Sequence, residues 1–256
     1  MRIVKSFFIA LSMYSRIPVP RFEWRKEDVR YLFCFFPWIG ALIGVCVYLW
    51  VGLCDAYSIG SLCRTTGAAA LSLLITGGFH ADGFLDTMDA IHSYQPRERK
   101  LEILKDSHIG AFAVILFILY ELVYLGAFSE IGEEKALRAV CGGFFLSRCL
   151  CGHSALSFPQ ARKEGMLASA VGQASRKIGK AALYVQTIVC VGVMIFLSGI
   201  AGLAVSGTAV LLLFFYFYLT KKEFGGVTGD TSGYFILLCE GGMAVAAAVC
   251  SVAGIL

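Results

Sequence analysis

Charge is what this sequence has least of. Asp, Glu, Lys and Arg make up 16% of its 256 residues, against about 25% in soluble globular domains. Residues 31–54, 65–81 and 181–220 contain none of the four. A water-soluble domain of this size needs charge spread along its whole length. Uncharged runs of about 18 or more mainly apolar residues span a bilayer instead, and the run 181–220 is long enough for two spans. Low charge also removes nucleic acid as a partner, because the net +4 is carried by short basic clusters between membrane-length apolar stretches. No A-x-A cleavage pattern follows the short apolar run 7–14, so residues 1–30 are expected to remain as an interfacial or re-entrant segment.

Other absences narrow the reading further. Ten cysteines do not make a disulfide framework in a long apolar chain, and Cys34, Cys46, Cys190 and Cys250 lie inside apolar runs. Cys149, Cys151 and His153 alternate as C-x-C-x-H, but no fourth ligand stands at a usual zinc spacing, so packing is the reading. No linker, low-complexity tract, internal repeat or second soluble domain is visible. The chain is expected to be one integral membrane domain over residues 1–256, an all-α, polytopic helical bundle.

Seven spans are predicted, at 31–54, 65–91, 109–129, 137–158, 181–199, 202–220 and 233–255. With the N-terminus inside, the inner segments hold 18 of the 22 Lys and Arg and the outer segments hold 2. Positive charge marks the cytoplasmic side, so the N-terminus is predicted to be cytoplasmic in a plasma (inner) membrane. Gly40 and Gly44 have small-x-x-x-small spacing, which suits close helix packing within one chain or in a homo-oligomer.

Against this apolar background the stretch TGGFHADGFLDTMDAI (76–91) stands out, with Asp82, Asp86 and Asp89 at i, i+4, i+7. At about 100° per residue the three carboxylates fall within roughly 60° of one another on a helix. Such a face near a membrane is costly and self-repelling. Hard oxygen ligands suit Mg²⁺ or Mn²⁺, and Mg²⁺ commonly combines one or two carboxylates with substrate phosphate oxygens. A metal-held diphosphate is the chemical reading; pairing with nearby Lys or Arg is the structural alternative. His80 lies roughly 160° from Asp82 on a regular helix, away from the carboxylate face.

Further polar groups fall on the same predicted side. Arg97, Arg99, Lys100 and Lys105 form a basic flank. Lys105-Asp106-Ser107 joins a phosphate-binding cation to a carboxylate before a glycine-containing helix start, with Ser107 as a candidate N-cap. The turn GGVTGDTSG (225–233) lets backbone approach a phosphate, with Gly229 and Thr231 as binders and Asp230 as a metal ligand. Arg16 and Arg148 are candidate phosphate or substrate contacts, or partners for carboxylates, and Glu240 is expected to face the bundle interior.

The segments SRIPVP (15–20), FFPWIGALIG (35–44), TGGFHADGFLDTMDA (76–90), LEILKDSHIGAF (101–112), SR (147–148) and GGVTGDTSG (225–233) together resemble the cobalamin synthase (adenosylcobinamide-GDP ribazoletransferase) family, in order along nearly the whole chain. The resemblance implies a Mg²⁺-dependent transferase in which a ribose hydroxyl of α-ribazole, or of its 5′-phosphate, displaces GMP from adenosylcobinamide-GDP. It implies Asp82, Asp86, Asp89 and Asp230 on metal, Lys105 on phosphate, Asp106 completing the metal shell, and a carboxylate such as Asp89 as general base. Arg16, Arg148, Gly229 and Thr231 would contact the substrate. Two positions depart from the pattern. His108 stands where the family usually has Arg, and Leu237 where an acidic residue often follows the turn, leaving Glu240 nearest. A CDP-alcohol phosphotransferase-like enzyme is the rival reading, but its D-x-x-D-G before A-R is absent. A cation transporter is a further rival, although clustering of polar groups on one side argues against a path through the bilayer.

Overall fold

The computed structural model describes residues 2–20 and 24–255, so Met1 and residues 21–23 of the expected N-terminal segment lie outside the described residues. Among the described residues the chain is helical with no strand. The helices are α1 (Arg2–Tyr14), α2 (Leu32–Ala56), α3 (Ser61–Thr76), α4 (Phe79–His92), α5 (Arg97–Ile103) and α6 (Ala111–Ser129). They continue with α7 (Glu134–Ser157), α8 (Met166–Gln173), α9 (Arg176–Ser198), α10 (Ile200–Glu223) and α11 (Gly229–Val252). Helices α2, α6, α7, α9, α10 and α11 are long and apolar enough to cross a membrane, and α3 with α4 makes a seventh if the bent pair is one span. The protein is a multi-pass helical membrane bundle.

One expected span is broken. The sequence predicts a continuous helix over 65–91, but α3 and α4 meet at 93°. The cause is local: Gly77 and Gly78 both adopt left-handed backbone, with φ of +64° and +78°, a region open to glycine at little cost. Two such residues in a row end one helix and turn the chain. The acidic stretch 82–89 is thereby carried on a helix set across α3.

Helix α7 is the most enclosed span and packs against α2, α9, α10 and α11. Gly40 and Gly44 of α2 lie against the carbonyls of Phe144 and Cys141, so the small-x-x-x-small spacing is used within the chain. The outer helices α6, α9 and α10 instead expose large apolar residues, including Leu122, Phe196 and Leu211, as a lipid-facing surface requires.

At one end of the bundle the start of α2, the end of α7 and the starts of α4 and α11 line one cavity. The loop after α7 is tied to the turn before α11 by two backbone bonds, Ala161 N–H to Val227 O (3.0 Å) and Val227 N–H to Pro159 O (2.8 Å).

Candidate active site

Two glycines place the acidic helix. Gly83 of α4 sits against the backbone of Asp230, where a Cβ would come within 2.6 Å of the carbonyl oxygen. Gly233 of α11 sits against His80, where a Cβ would lie 2.8 Å from the carbonyl oxygen. No side chain fits in either gap, so α4 and α11 cross backbone to backbone. The crossing brings the start of α11, with Asp230 in its first turn, onto the Asp82 end of α4.

Helix α11 begins on a firm cap. Thr228 accepts from the Thr231 N–H (3.1 Å), and the Thr231 hydroxyl in turn accepts from the Thr228 N–H (2.9 Å). This reciprocal cap satisfies orphan donors of the first turn and leaves Asp230 free to project between them. The Thr228 hydroxyl also lies 3.4 Å from the Asp230 carboxylate as a donor.

A cavity of about 190 Å³ opens here. Its mouth carries Asp82, Asp230, Arg162 and Glu164, and its inner wall carries Tyr14, Phe36, Phe79 and His80. Arg162, from the loop tied to Val227, places Nη1 3.8 Å from Asp230 Oδ2. Its Nη2 donates to the Leu101 carbonyl at the end of α5, while its buried Nε has no protein partner. Asp82 is exposed, Asp86 and Asp89 are half-buried, and Asp86 lies within electrostatic reach of Asp82, Asp230 and Asp89.

Of the remaining sequence candidates, only Gly229 lines this cavity; Arg16, Asp89, Lys105, Asp106, Arg148 and Thr231 do not. Asp89 lies against Gly110, the residue that opens α6, and so supports the loop 104–110. Lys105, Asp106 and His108 are exposed on that loop. Asp106 Oδ1 accepts from the His108 N–H (3.0 Å) and lies 2.7 Å from His108 Nδ1. These bonds hold the Asp106 carboxyl below the ordinary aspartate range. Ser107 does not cap α6, because Gly110 occupies that position. Gly229 lines the cavity, whereas the Thr231 hydroxyl is fully buried in the α11 cap. Arg16 folds over Gly77 at the α3–α4 elbow, its N–H bonded to the Ile75 carbonyl (2.8 Å). Lys100 is ion-paired with Glu223 rather than free for phosphate, and Arg97 covers Gly225.

Arg148 and Glu240 find each other. Arg148 is 0% exposed and Glu240 5%, with Nη1 to Oε1 at 2.5 Å and a second bond from Nη1 to the Phe144 carbonyl at 2.9 Å. Of the two roles open to Arg148 in the sequence, the structure shows carboxylate pairing. The pair borders a second, smaller cavity behind the first, and His80 lines both.

Among the described residues no three His, Cys, Asp or Glu side chains converge closely enough to cage a metal ion. The donor set still suits a hard cation. Asp82 and Asp230 reach one cavity from two helices with Asp86 nearby, and Mg²⁺ commonly takes one or two carboxylates and completes its shell with phosphate and water.

Nothing in the sequence singles out Arg162 or the aromatic residues of the cavity wall. Arg162 reads as one member of a basic loop, and only the pairing of Val227 with residues 159–161 reveals its position. Tyr14, Phe36 and Phe79 come from three helices and read singly as ordinary membrane aromatics.

The family model for cobalamin-5-phosphate synthase matches residues 6–248 of the chain. A relative from Lachnoclostridium phytofermentans named adenosylcobinamide-GDP ribazoletransferase is 38% identical over 240 residues, covering 94% of this chain and 92% of its own. Relatives of the same name are 30% identical in Clostridium perfringens, over 92% of this chain and 94% of theirs, and 33% identical in Klebsiella pneumoniae, over 93% and 96%. No solved structure matches the chain.

Proposed function

Because the chain belongs to the cobalamin-5-phosphate synthase family, we propose that it is an adenosylcobinamide-GDP ribazoletransferase acting in the cavity at the α4–α11 crossing. The observation that carries this reading is the meeting of Asp82, Asp230 and Arg162 at the mouth of one cavity. They are carboxylates for a metal-bound diphosphate and a cation for the phosphate charge. In the reaction a ribose hydroxyl oxygen of the ribazole, free or 5′-phosphorylated, bonds to the phosphorus attached to cobinamide. The bond from that phosphorus to the bridging oxygen breaks, GMP leaves with the bridging oxygen, and the hydroxyl proton passes to a carboxylate.

The residues divide the work by position. Asp82, Asp86 and Asp230 would hold Mg²⁺ with the diphosphate, and the ion would supply charge neutralisation on the phosphate oxygens. Arg162, whose Nε lacks a partner, would turn from Asp230 to the phosphate and receive charge developing there. The Asp82 carboxylate, exposed at the mouth, would take the hydroxyl proton on the oxygen it does not give to the metal. Asp89 lies against Gly110 at the end of the exposed loop 104–110, from which Lys105 would reach the phosphate. We assign the protein to the plasma (inner) membrane with this end of the bundle in the cytoplasm, following the 18-to-2 distribution of Lys and Arg.

The test is GMP release from adenosylcobinamide-GDP and α-ribazole 5′-phosphate by protein purified in detergent. Activity should vanish with EDTA, return with Mg²⁺, and fall at least about 100-fold in the Asp82→Ala, Asp86→Ala double variant. Full activity in that variant would remove the metal assignment.

A further inference from the structure

Helix α5 belongs to a satellite core set apart from the main one. In it Leu104, just past α5, meets Ala90 of α4 and Phe224 at the end of α10, with Leu101 and Ala161 packed on their edge. A helix of seven residues is too short to hold itself in water, so α5 depends on this small core and on one ion pair. Lys100 is buried and bonds to Glu223 at the end of α10, while Lys222 Nζ stands 3.6 Å from the other Glu223 oxygen. None of these groups reaches the cavity.

What α5 does reach is Arg162. The Lys105 N–H, which a continuing helix would send to Leu101, goes to the Glu102 carbonyl instead (2.8 Å). The Leu101 carbonyl is thereby left as an end-of-helix acceptor, and Arg162 Nη2 donates to it. A cation suits that end of a helix, and a planar guanidinium held at one nitrogen has the others aimed as well. Here the held plane points Nη1 at Asp230, 3.8 Å away. Resting on the transferase reading, we propose that Lys100 and Glu223 are positioning residues for the transfer step. Their ion pair fixes α5, and α5 fixes the Arg162 guanidinium through the Leu101 carbonyl. With Nη2 held, Nη1 has only a short swing from Asp230 to a phosphate oxygen at the same mouth. A loosened α5 lets the guanidinium drift, and a misplacement of 1 Å costs a reaction on the order of 100-fold.

A double-mutant cycle on GMP release separates positioning from plain support of the fold. Lys100→Met leaves Glu223 with Lys222 as its partner, and Glu223→Gln keeps the shape while removing the charge. Each should lower kcat about tenfold or more with KM for the acceptor unchanged, and Lys100→Arg should keep most of the rate. Arg162→Ala should cost about 100-fold, and adding Lys100→Met or Glu223→Gln to it should cost nothing further. Losses that multiply instead would overturn the proposal, because the pair would then act independently of Arg162. Hydrogen exchange of the segment 159–164, where the Ala161 N–H bonds to Val227 O (3.0 Å), gives a readout that needs no activity. Exchange there should quicken in Lys100→Met and in Glu223→Gln while the middle of α7 stays protected. Unchanged exchange in the segment, or exchange quickened through α7 as well, would also overturn it. Absence of GMP release by the wild type sinks the transferase reading, and the exchange experiment then decides by itself whether the pair holds the Arg162 loop.

Discussion

The ion pair between Arg148 and Glu240 shows how a residue's type alone leaves two roles open. An arginine in a membrane span invites a substrate role, yet this one is fully enclosed and bonded to Glu240 and the Phe144 carbonyl. Removing one partner of a buried pair leaves an uncompensated charge and costs about 3–5 kcal/mol, whereas replacing both with apolar side chains is often neutral. Arg148→Met and Glu240→Leu should each lower the unfolding midpoint in detergent sharply, and the double variant should recover most of the loss. Retention of GMP release by the double variant would mark the pair as structural; loss of release despite recovered stability would restore a role in the reaction. The pair was half legible. The cost of Glu240 in lipid predicts that it faces inward, but nothing in the spacing ties it to a residue 92 positions away.

Asp106 and His108 pose a different question at the same scale. Both are exposed, and two bonds from His108 hold the Asp106 carboxyl below its ordinary value of 3.8. A depressed carboxyl contributes its stabilisation above the unfolded value and loses it only as pH falls through the folded one. The clasp should therefore persist across the physiological range and open only in acid, below the normal aspartate midpoint. Carbon NMR of labelled Asp106 should show that low midpoint, and His108→Ala should move it upward.

Among elements, the crossing of α4 and α11 decides whether the carboxylates form a site. Their residue types and helical spacing were visible in the sequence, and so were their glycines. Their placement was not, because a continuous span over 65–91 would have carried Asp82 to Asp89 along the membrane normal. The turn at Gly77 and Gly78 depends on backbone angles that composition does not reveal, and the pairing of Gly83 with Asp230 joins positions on separate helices. Gly233→Ala tests the crossing. Its new Cβ would press on the His80 carbonyl and approach Gly83 Cα at 3.3 Å, backbone atoms that cannot rotate away. Overpacking of this kind costs about 1–3 kcal/mol. The variant should lose that much stability in reversible unfolding, and GMP release should fall further than stability alone explains because Asp230 is moved from Asp82.

For the whole molecule, the uneven distribution of charge makes orientation the property most accessible to a direct test. The crowded end carries the cavity, the loop holding Arg162 and most of the Lys and Arg, while the start of α3 lies across the bundle with the sparse end. A native reporter already stands there: Cys63 is exposed, and the other nine cysteines are buried or partly buried. In a chain keeping Cys63 as its one cysteine, a membrane-impermeant maleimide added to intact cells, with any outer barrier permeabilised, should label it from outside. With Cys63 replaced as well and Lys163→Cys introduced beside Arg162, labelling should occur only after the inner membrane is opened. The reverse pattern would invert the bundle and put the cavity outside, where a cytoplasmic nucleotide-linked donor does not reach it. Labelling of both positions from one side would require an odd change in the number of crossings between them. The bent α3–α4 pair is the one segment whose geometry allows that, so the same two cysteines decide whether it crosses the membrane or returns to the face it entered.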